Sequence, residues 1–199
     1  MKLIKGILTL IGAIVVIAAI VGAVTVGPKI AKLDSNALPE YMKMFDKVLS
    51  TGDPAKGMVR RVKMQIPEGM TKAEAFENAL EIMDEVASEH GLAMVDEKTM
   101  PRGGKLFKNG GLLTHIRAYC SPAIADVFLT YSPYFIGFMP CRIGVVEDPK
   151  THDIYFYTMG MELMINGGHT LPPKLLNLAN EVRTGMYEAM EKAAAGEDD

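Results

Sequence analysis

One long apolar run opens the chain, and shorter segments with regular apolar spacing follow it. The run Ile7–Gly27 contains 21 residues without a charge. A helix of that length, at about 1.5 Å per residue, covers the ~30 Å hydrocarbon core of a bilayer. The pattern therefore predicts a transmembrane helix at the N-terminus.

After this run, the pattern predicts a strand, a helix and a second strand. Val59–Ile66 alternates apolar and polar positions, which is typical of a strand. Thr71 with Glu74 three residues later is a capping box, and it starts a helix that ends at Gly91. Leu92–Thr99 predicts the second strand. The inward positions are Val62, Met64 and Ile66 in the first strand and Phe76, Leu80, Met83 and Ala87 in the helix.

The next segments predict a loop, a strand and a short helix. Residues 101–111 hold four glycines, which is typical of a loop. Leu112–Cys120 has the spacing of a strand. Ser121 and Pro122 suit the N-cap and the first position of a helix that continues to Tyr131.

A hairpin and a long helix complete the pattern. Cys141–Glu147 and Ile154–Met159 predict two strands joined by a run rich in turn-forming residues. Leu171-Pro172-Pro173 starts a helix whose apolar face reaches Met190. The order of elements predicts an α+β domain with a mostly antiparallel, curved sheet and helices packed on one side.

The chain divides into four predicted parts. Residues 1–28 form the anchor, 29–57 a spacer with a short helix at Tyr41–Leu49, 58–195 the α+β domain and 196–199 an acidic tail. The alternative for the first part is a cleaved signal peptide with a cleavage site at Val21-Gly22-Ala23. An uncleaved anchor is favoured, because the run is longer than the 7 to 15 residues typical of a signal peptide.

Charges and small residues around the run suggest its topology and packing. Lys2 and Lys5 with the terminal amine slightly outweigh Lys29 and Lys32, so we expect a cytoplasmic N-terminus and a periplasmic domain. Close helix packing, with a membrane partner or a second copy, is permitted by the small-residue pairs Ala18 with Gly22 and Ala19 with Ala23.

Composition excludes some functions. The formal charge is −3 and no basic stripe occurs, so we predict no nucleic-acid partner. The Gly-x-Ser-x-Gly, dinucleotide and phosphate-loop motifs are absent, and Ser121 has no identifiable base. Of the four histidines, His115 and His169 are the two to consider as ligands or acid–base groups, whereas His90 and His152 suit the surface.

The two cysteines leave three alternatives open. Cys120 ends one predicted strand and Cys141 begins another, so they are a structural disulfide, two buried inert thiols, or a redox-active or metal-binding pair. Pro140 has no N–H and suits the entry to a strand. The simplest interpretation is that Cys141 anchors the start of a core strand.

Methionines near Cys141 suggest a soft-metal site as an alternative to core packing. Met139 precedes Cys141 in the sequence, Met159, Met161 and Met164 cluster at the end of the hairpin, and His169 follows in a loop. Thioether, thiolate and imidazole groups are the ligands that Cu(I) prefers. Methionine also fills irregular core gaps, and Met159 and Met161, two residues apart on a strand, would face one packing surface. If the methionines pack in the core, no cofactor is predicted. If they form a ligand site, the predicted cofactor is copper or haem.

The stretch YCSPAIADVFLTYSPYFIGFMPCRIGVVED, residues 119–148, resembles the signature of the domain of unknown function 302 (DUF302) family. The segment Tyr157–Met164 also resembles a branch of that family, with Gly160 where asparagine is expected. The resemblance extends over about Val59–Met190. The signature positions are Cys120, Pro122, Met139, Pro140, Cys141, Arg142 and Ile143.

The resemblance implies a small α+β fold, laid out like half of the TATA-binding protein, with an N-terminal membrane anchor in many members. It also implies an accessory protein of respiratory or sulfur-oxidising bacteria. We therefore expect a non-enzymatic accessory or binding subunit of an envelope complex, concerned with respiratory or sulfur-compound electron transfer. One alternative is a redox, copper or haem protein that uses Cys120 and Cys141 with Met139, Met159, Met161 or His169. The other is an enzyme acting on a small sulfur compound through Cys141.

Overall fold

The structure is a computed structural model that describes residues 2–100 and 112–197. The N-terminal apolar run forms helix α1 (Lys2–Thr25), followed by the short helix α2 (Gly27–Ile30). Within the described part of the chain, Ile4–Ile30 is the one segment long and apolar enough to cross a membrane, and it is not buried by the rest of the protein. The predicted apolar helix is therefore present. Residues 101–111, predicted as a loop, lie outside the described residues.

Two helices follow α1 and α2 and pack on the rest of the domain. They are α3 (Ala37–Thr51) and α4 (Pro54–Met58). The Tyr41 hydroxyl donates a hydrogen bond to the Gly167 carbonyl over 3.1 Å, and the Asp34 N–H donates to the Gly168 carbonyl over 2.8 Å. The predicted spacer is therefore docked on the domain at both of these points.

Five strands form one antiparallel sheet, with the spatial order β1-β5-β4-β3-β2. The strands are β1 (Val59–Lys63), β2 (Ala93–Thr99), β3 (Thr114–Cys120), β4 (Cys141–Glu147) and β5 (Ile154–Met159). The helices of the domain are α5 (Lys72–Glu89), α6 (Pro122–Tyr131), α7 (Glu162–Asn166) and α8 (Pro173–Ala195), with a 3-10 helix at Pro133–Phe138. The predicted α+β class is confirmed.

Helix α5 begins and ends where the sequence signals place it. The Thr71 N–H donates to Glu74 Oε2 over 2.8 Å, and the Glu74 N–H donates to Thr71 Oγ1 over 3.3 Å, which completes the capping box. Gly91 then adopts a φ of +67°, a conformation that glycine tolerates best.

The core lies between one face of the sheet and the two long helices α5 and α8. Ile143 and Val145 of β4 and Phe156 of β5 are fully buried there, with Met83 of α5 and Met186 of α8. Gly185 permits the close approach of α8 to the end of α5, because a Cβ atom at that position would lie 2.6 Å from His90 Cβ. Helices α5 and α8 thus cover one face of the sheet. The strand residues that alternate with these core residues lie on the opposite face.

Two of the predicted strand patterns were partly wrong. β1 ends at Lys63, so Ile66 lies beyond it and is exposed. The reason is that the Gln65 N–H bonds to the Ala194 carbonyl at the end of α8 and leaves the ladder. Met159 and Met161 do not lie on one face of a strand: β5 ends at Met159, which is exposed, whereas Met161 lies beyond the strand and is buried.

A polar network joins β3 to α5. Arg117 Nη1 donates to Asp84 Oδ2 over 2.6 Å and to the Leu80 carbonyl over 2.8 Å. The Tyr119 hydroxyl donates to the other oxygen, Asp84 Oδ1, over 2.6 Å. Burial, and then the hydrogen bond to Asp84, raise the pKa of Tyr119, so the hydroxyl stays a donor. The Asp84 carboxylate thus accepts hydrogen bonds from two residues of β3, Arg117 and Tyr119.

Glu147 is a buried carboxylate at the end of β4. It accepts a hydrogen bond from the Leu113 N–H over 3.1 Å, contacts His152 Nδ1 at 2.9 Å and lies 3.7 Å from Lys72 Nζ. Burial acts to raise its pKa, but these hydrogen bonds and the Lys72 charge outweigh it and hold the pKa below its usual value. The side chain is therefore an anion in the folded protein.

We expect Glu147→Gln to reduce the pH dependence of stability in acid. A carboxyl whose pKa is lowered by folding stabilises the protein above its ordinary pKa of about 4.3, and this contribution is lost as the pH falls through the lower folded value. The variant should be less stable than wild type by about 1–2 kcal/mol at pH 7, since hydrogen bonds to a charged group are lost. Denaturant titrations at a series of pH values should show this difference shrinking below about pH 4. A difference that stays constant down to low pH would contradict the assignment.

Candidate functional site

A cavity of about 280 Å³ lies where β4 begins and β5 ends. Its wall combines residues of the sheet, the 3-10 helix and the segment around α7. Arg142 is the one charged residue among the described residues that line it. The lining residues are Val59, Ile116, Gly137, Phe138, Pro140, Cys141, Arg142, Gly144, Tyr157, Thr158, Met159, Met161 and Met164.

Three residues in one row across the sheet form part of this wall. Gly144 of β4 pairs with Ile116 of β3 on one side and with Tyr157 of β5 on the other. These residues alternate with the core residues Ile143 and Val145 and therefore belong to the face away from α5 and α8. A Cβ atom on Gly144 would meet only two backbone oxygens, at 3.9 and 4.0 Å. The absent side chain thus leaves room above this row.

Arg142 gives the cavity its charge. It lies two residues before Gly144 on the same strand, so its side chain is on the same face of the sheet. Its carbonyl accepts a hydrogen bond from Thr158 Oγ1 over 2.8 Å. The ion pairs found between described residues do not include its guanidinium. Arg142 therefore offers hydrogen-bond donors and a positive charge at an apolar cavity.

Cys141 lies at the start of β4, directly after Pro140, and the Met139–Pro140 peptide bond is cis. Its side chain is on the helix-covered face and packs against the core. Burial, and the nearby Cys120, raise the pKa of the thiol to about 11, and Arg142 only partly opposes this. The residue is therefore a protonated thiol, consistent with the interpretation that it anchors a core strand.

The two cysteines are not bonded to each other in the structure. Tyr119, not Cys120, is the register partner of Cys141. Because successive residues of a strand point to opposite faces, Cys120 and Cys141 lie on opposite faces of the sheet. This arrangement does not favour the disulfide and favours two separate thiols.

The proposed metal ligands divide into two groups. Met159 and Met161 line the cavity with Cys141, and Met164 of α7 joins them. Met139 packs against the core instead, and His169 lies in the exposed loop before α8; neither is a lining residue. In residues 2–100 and 112–197, no group of three or more His, Cys, Asp or Glu side chains could hold a metal ion.

His115, the other histidine considered from the sequence, is buried away from the cavity. Its Nδ1 lies 2.7 Å from Thr99 Oγ1, and its ring contacts the edge of Phe76 with the centroids 5.4 Å apart. Burial, and then the positive charge of Arg117, lower its pKa. A neutral ring between β2, β3 and α5 suits a packing role.

We expect the thiol of Cys141 to react slowly in the folded protein. A pKa of about 11, against an ordinary 9.0, leaves roughly a hundredfold less thiolate at neutral pH, and the thiolate is the reacting form. The Cys120→Ser variant isolates this thiol for kinetics with dithiodipyridine. The native protein should react at least about a hundredfold more slowly than the same variant in denaturant. Equal rates in the two states would make Cys141 an accessible, activated thiol.

The fold and the cavity define an α+β domain with a five-stranded antiparallel sheet, behind one long apolar helix. The chain belongs to the DUF302 family: the model of this family, described as "Domain of unknown function DUF302", matches residues 69–193. The match includes α5, the hairpin of β4 and β5, and most of α8. It contains most of the cavity wall, with Val59 of β1 outside.

A solved structure is similar to this chain. It is described as the crystal structure of the uncharacterized conserved protein DUF302 from Bacillus stearothermophilus. The two sequences are 15% identical, and the alignment covers 68% of this chain and 97% of that chain with a TM-score of 0.48. None of the curated proteins compared with the chain matches it.

Several lining residues were not predicted as site residues from the sequence, among them Arg142, which appeared there only as a position of the family signature. Ile116, Gly144 and Tyr157 come from three strands and meet only through the register of the sheet. Gly144 gave one usable signal, because a glycine in a strand interior often marks the close approach of a ligand or another backbone.

Proposed function

We propose that this chain is a membrane-anchored binding protein whose cavity accepts a small ligand with an apolar body and an anionic group. The observation that carries the proposal is a cavity with an apolar wall and, among the described lining residues, a single cationic side chain, Arg142. A guanidinium binds carboxylates and related anions through charge-assisted hydrogen bonds. The protonated thiol of Cys141 supports binding without nucleophilic chemistry.

The proposal places the protein in the cytoplasmic membrane, with the N-terminus in the cytoplasm and the domain in the periplasm. The long apolar helix and the small excess of positive charge before it support this topology. In this setting the chain serves as an accessory subunit of an envelope complex, in respiratory or sulfur-compound electron transfer. Within that complex, the chain binds a membrane-protein partner or a second copy of itself.

Benzoate and benzamide test the binding function, because they share a shape and differ in charge. Ligand-observed NMR on the full chain in nanodiscs should show that benzoate binds about tenfold more tightly than benzamide, as one charge-assisted hydrogen bond can provide. Arg142→Gln should remove this preference. The matched control is Arg61→Gln, since Arg61 of β1 lies over the Tyr155 ring of β5 and is not a lining residue. Equal binding of the two ligands by the wild type would refute the proposal.

A second candidate function is Cu(I) binding, which the meeting of the thioethers of Met159, Met161 and Met164 at one cavity favours. No histidine is present among the described lining residues, so copper fits these donors better than haem does. Competition for Cu(I) with a chromophoric chelator distinguishes the two functions. Tight Cu(I) binding that is lost in Met159→Leu would replace the first function with the second.

A further inference from the structure

Helix α3 exposes a continuous apolar stripe. Leu38, Met42, Phe45 and Leu49 are 54%, 61%, 52% and 82% exposed. Their spacing of four, three and four residues places them on one face of the helix. The long helices α5 and α8 are described over their whole length, and neither exposes a large apolar side chain. The stripe therefore sets α3 apart from the two long helices of the core.

The stripe is not the face by which α3 packs on the domain. Ala37 is fully buried and Tyr41, Met44 and Val48 are half-buried, on a neighbouring face of the helix. The hydrogen bond from the Tyr41 hydroxyl to the Gly167 carbonyl belongs to this second face. Helix α3 thus carries more apolar surface than the domain covers.

The connection to the apolar N-terminal segment limits where the stripe can lie. Residues 31–36 link α2 to α3, and such a link spans at most about 21 Å when fully extended. The link is folded, since the Leu33 N–H bonds to the Ile30 carbonyl and the Ala37 N–H bonds to the Asp34 carbonyl. If Ile4–Ile30 crosses a bilayer, α3 begins close to the surface of that bilayer.

We propose that α3 lies in the lipid interface, with its apolar stripe in contact with the acyl chains. Amphipathic helices bind membranes in this way, with the apolar face buried by roughly 5–10 Å. Lys29 and Lys32 lie in or beside the connection, where anionic headgroups attract positive charge. The inference rests on the membrane anchor of the proposed function and adds a second membrane contact. The bilayer then fixes the orientation of the whole domain, because α3 is docked on the domain.

Single tryptophans test this contact sharply, because the chain contains no tryptophan. Phe45→Trp places the probe on the stripe, and Ser50→Trp places it on the polar side of the same helix. Val16→Trp reports separately on the middle of the apolar segment. Each full-length variant is reconstituted in phosphatidylcholine and phosphatidylglycerol vesicles, with lipids brominated either near the headgroup or deep in the acyl chain.

We expect shallow bromines to quench the emission of the Phe45→Trp variant at least twofold more than that of the Ser50→Trp variant. The emission of Phe45→Trp should also shift to the blue. Absence of quenching in Phe45→Trp overturns the inference, and a blue shift without quenching would assign the stripe to a contact with a second copy of the chain.

The Val16→Trp variant separates failure of the interfacial helix from failure of the anchor. Deep bromines should quench its emission if the apolar segment spans the bilayer. Quenching at position 16 without quenching at position 45 would retain the anchor and reject the interfacial helix. Absence of quenching at position 16 would reject the anchor, whatever position 45 shows.

Discussion

Gly144→Val is expected to weaken benzoate binding by about thirtyfold or more while leaving the protein as stable as the wild type. A thirtyfold loss corresponds to about 2 kcal/mol of binding free energy. The valine side chain would project over the face of the sheet that lines the cavity, where only two backbone oxygens lie within 4 Å of the new Cβ. Valine also suits a strand better than glycine does, so we expect a change in unfolding free energy between zero and about 1 kcal/mol of stabilisation.

The matched control for this variant is Val146→Ile, which adds one methyl group on the same strand and the same face, outside the cavity wall. It should bind benzoate like the wild type. Denaturant titration of both variants separates a blocked site from a damaged fold. Wild-type binding by a fully folded Gly144→Val protein would show that benzoate binds elsewhere.

Asp84→Ala is expected to lower the free energy of unfolding by about 3 kcal/mol. Removing one partner of a fully buried ion pair costs about 3–5 kcal/mol, and here the Asp84 side chain is 38% exposed and Arg117 13%, which places the loss at the lower end. The substitution removes the acceptor of both the Arg117 guanidinium and the Tyr119 hydroxyl, and both donors lie on the buried face of β3. Denaturant titration measures the loss.

Glu97→Ala is the control for Asp84→Ala, because Glu97 contacts the same guanidinium from an exposed position on β2. Exposed ion pairs contribute at most about 1 kcal/mol, so this variant should lose less than that. Tyr119→Phe should lose about 1–2 kcal/mol, because it removes one hydrogen bond to a charged group and leaves the ring in place. If Glu97→Ala costs as much as Asp84→Ala, the network is held from the sheet edge and not from α5.

Local signals in the sequence were sufficient for several elements of the fold. The hairpin strands Cys141–Glu147 and Ile154–Met159 have the predicted bounds, because turn-forming residues separate two apolar runs. The capping box of Thr71 and Glu74 also formed as predicted. Ser121 is the N-cap residue of α6, although its side chain makes no capping hydrogen bond.

Other features depended on contacts between distant residues and could not be predicted locally. The early end of β1 follows from a backbone hydrogen bond to α8, about 130 residues later in the chain. The 3-10 helix at Pro133–Phe138 and the docking of α3 also depend on the assembled domain.

The candidate site was predicted only in part, because it too depends on contacts between residues that are distant in the sequence. Pro140, Cys141, Met159 and Met161 were selected for their chemistry, and all four line the cavity. Alternation along β3 and β4 separates Cys120 from Cys141, but the sequence did not reveal the register between these strands. The same register brings Gly144 beside Ile116 and Tyr157.

Methyl NMR of the full chain with ¹³C-labelled methionine methyl groups tests the central claim, binding in this cavity, most directly. Nuclear Overhauser contacts from the ring protons of bound benzoate should appear at Met159 and Met164, and the buried Met83 and Met186 should show none. Replacing single methionines by leucine assigns the signals. Contacts at Met159 and Met164 that disappear in Gly144→Val would establish the cavity as the binding site. Contacts confined to other methionines, or equal contacts at all of them, would contradict it.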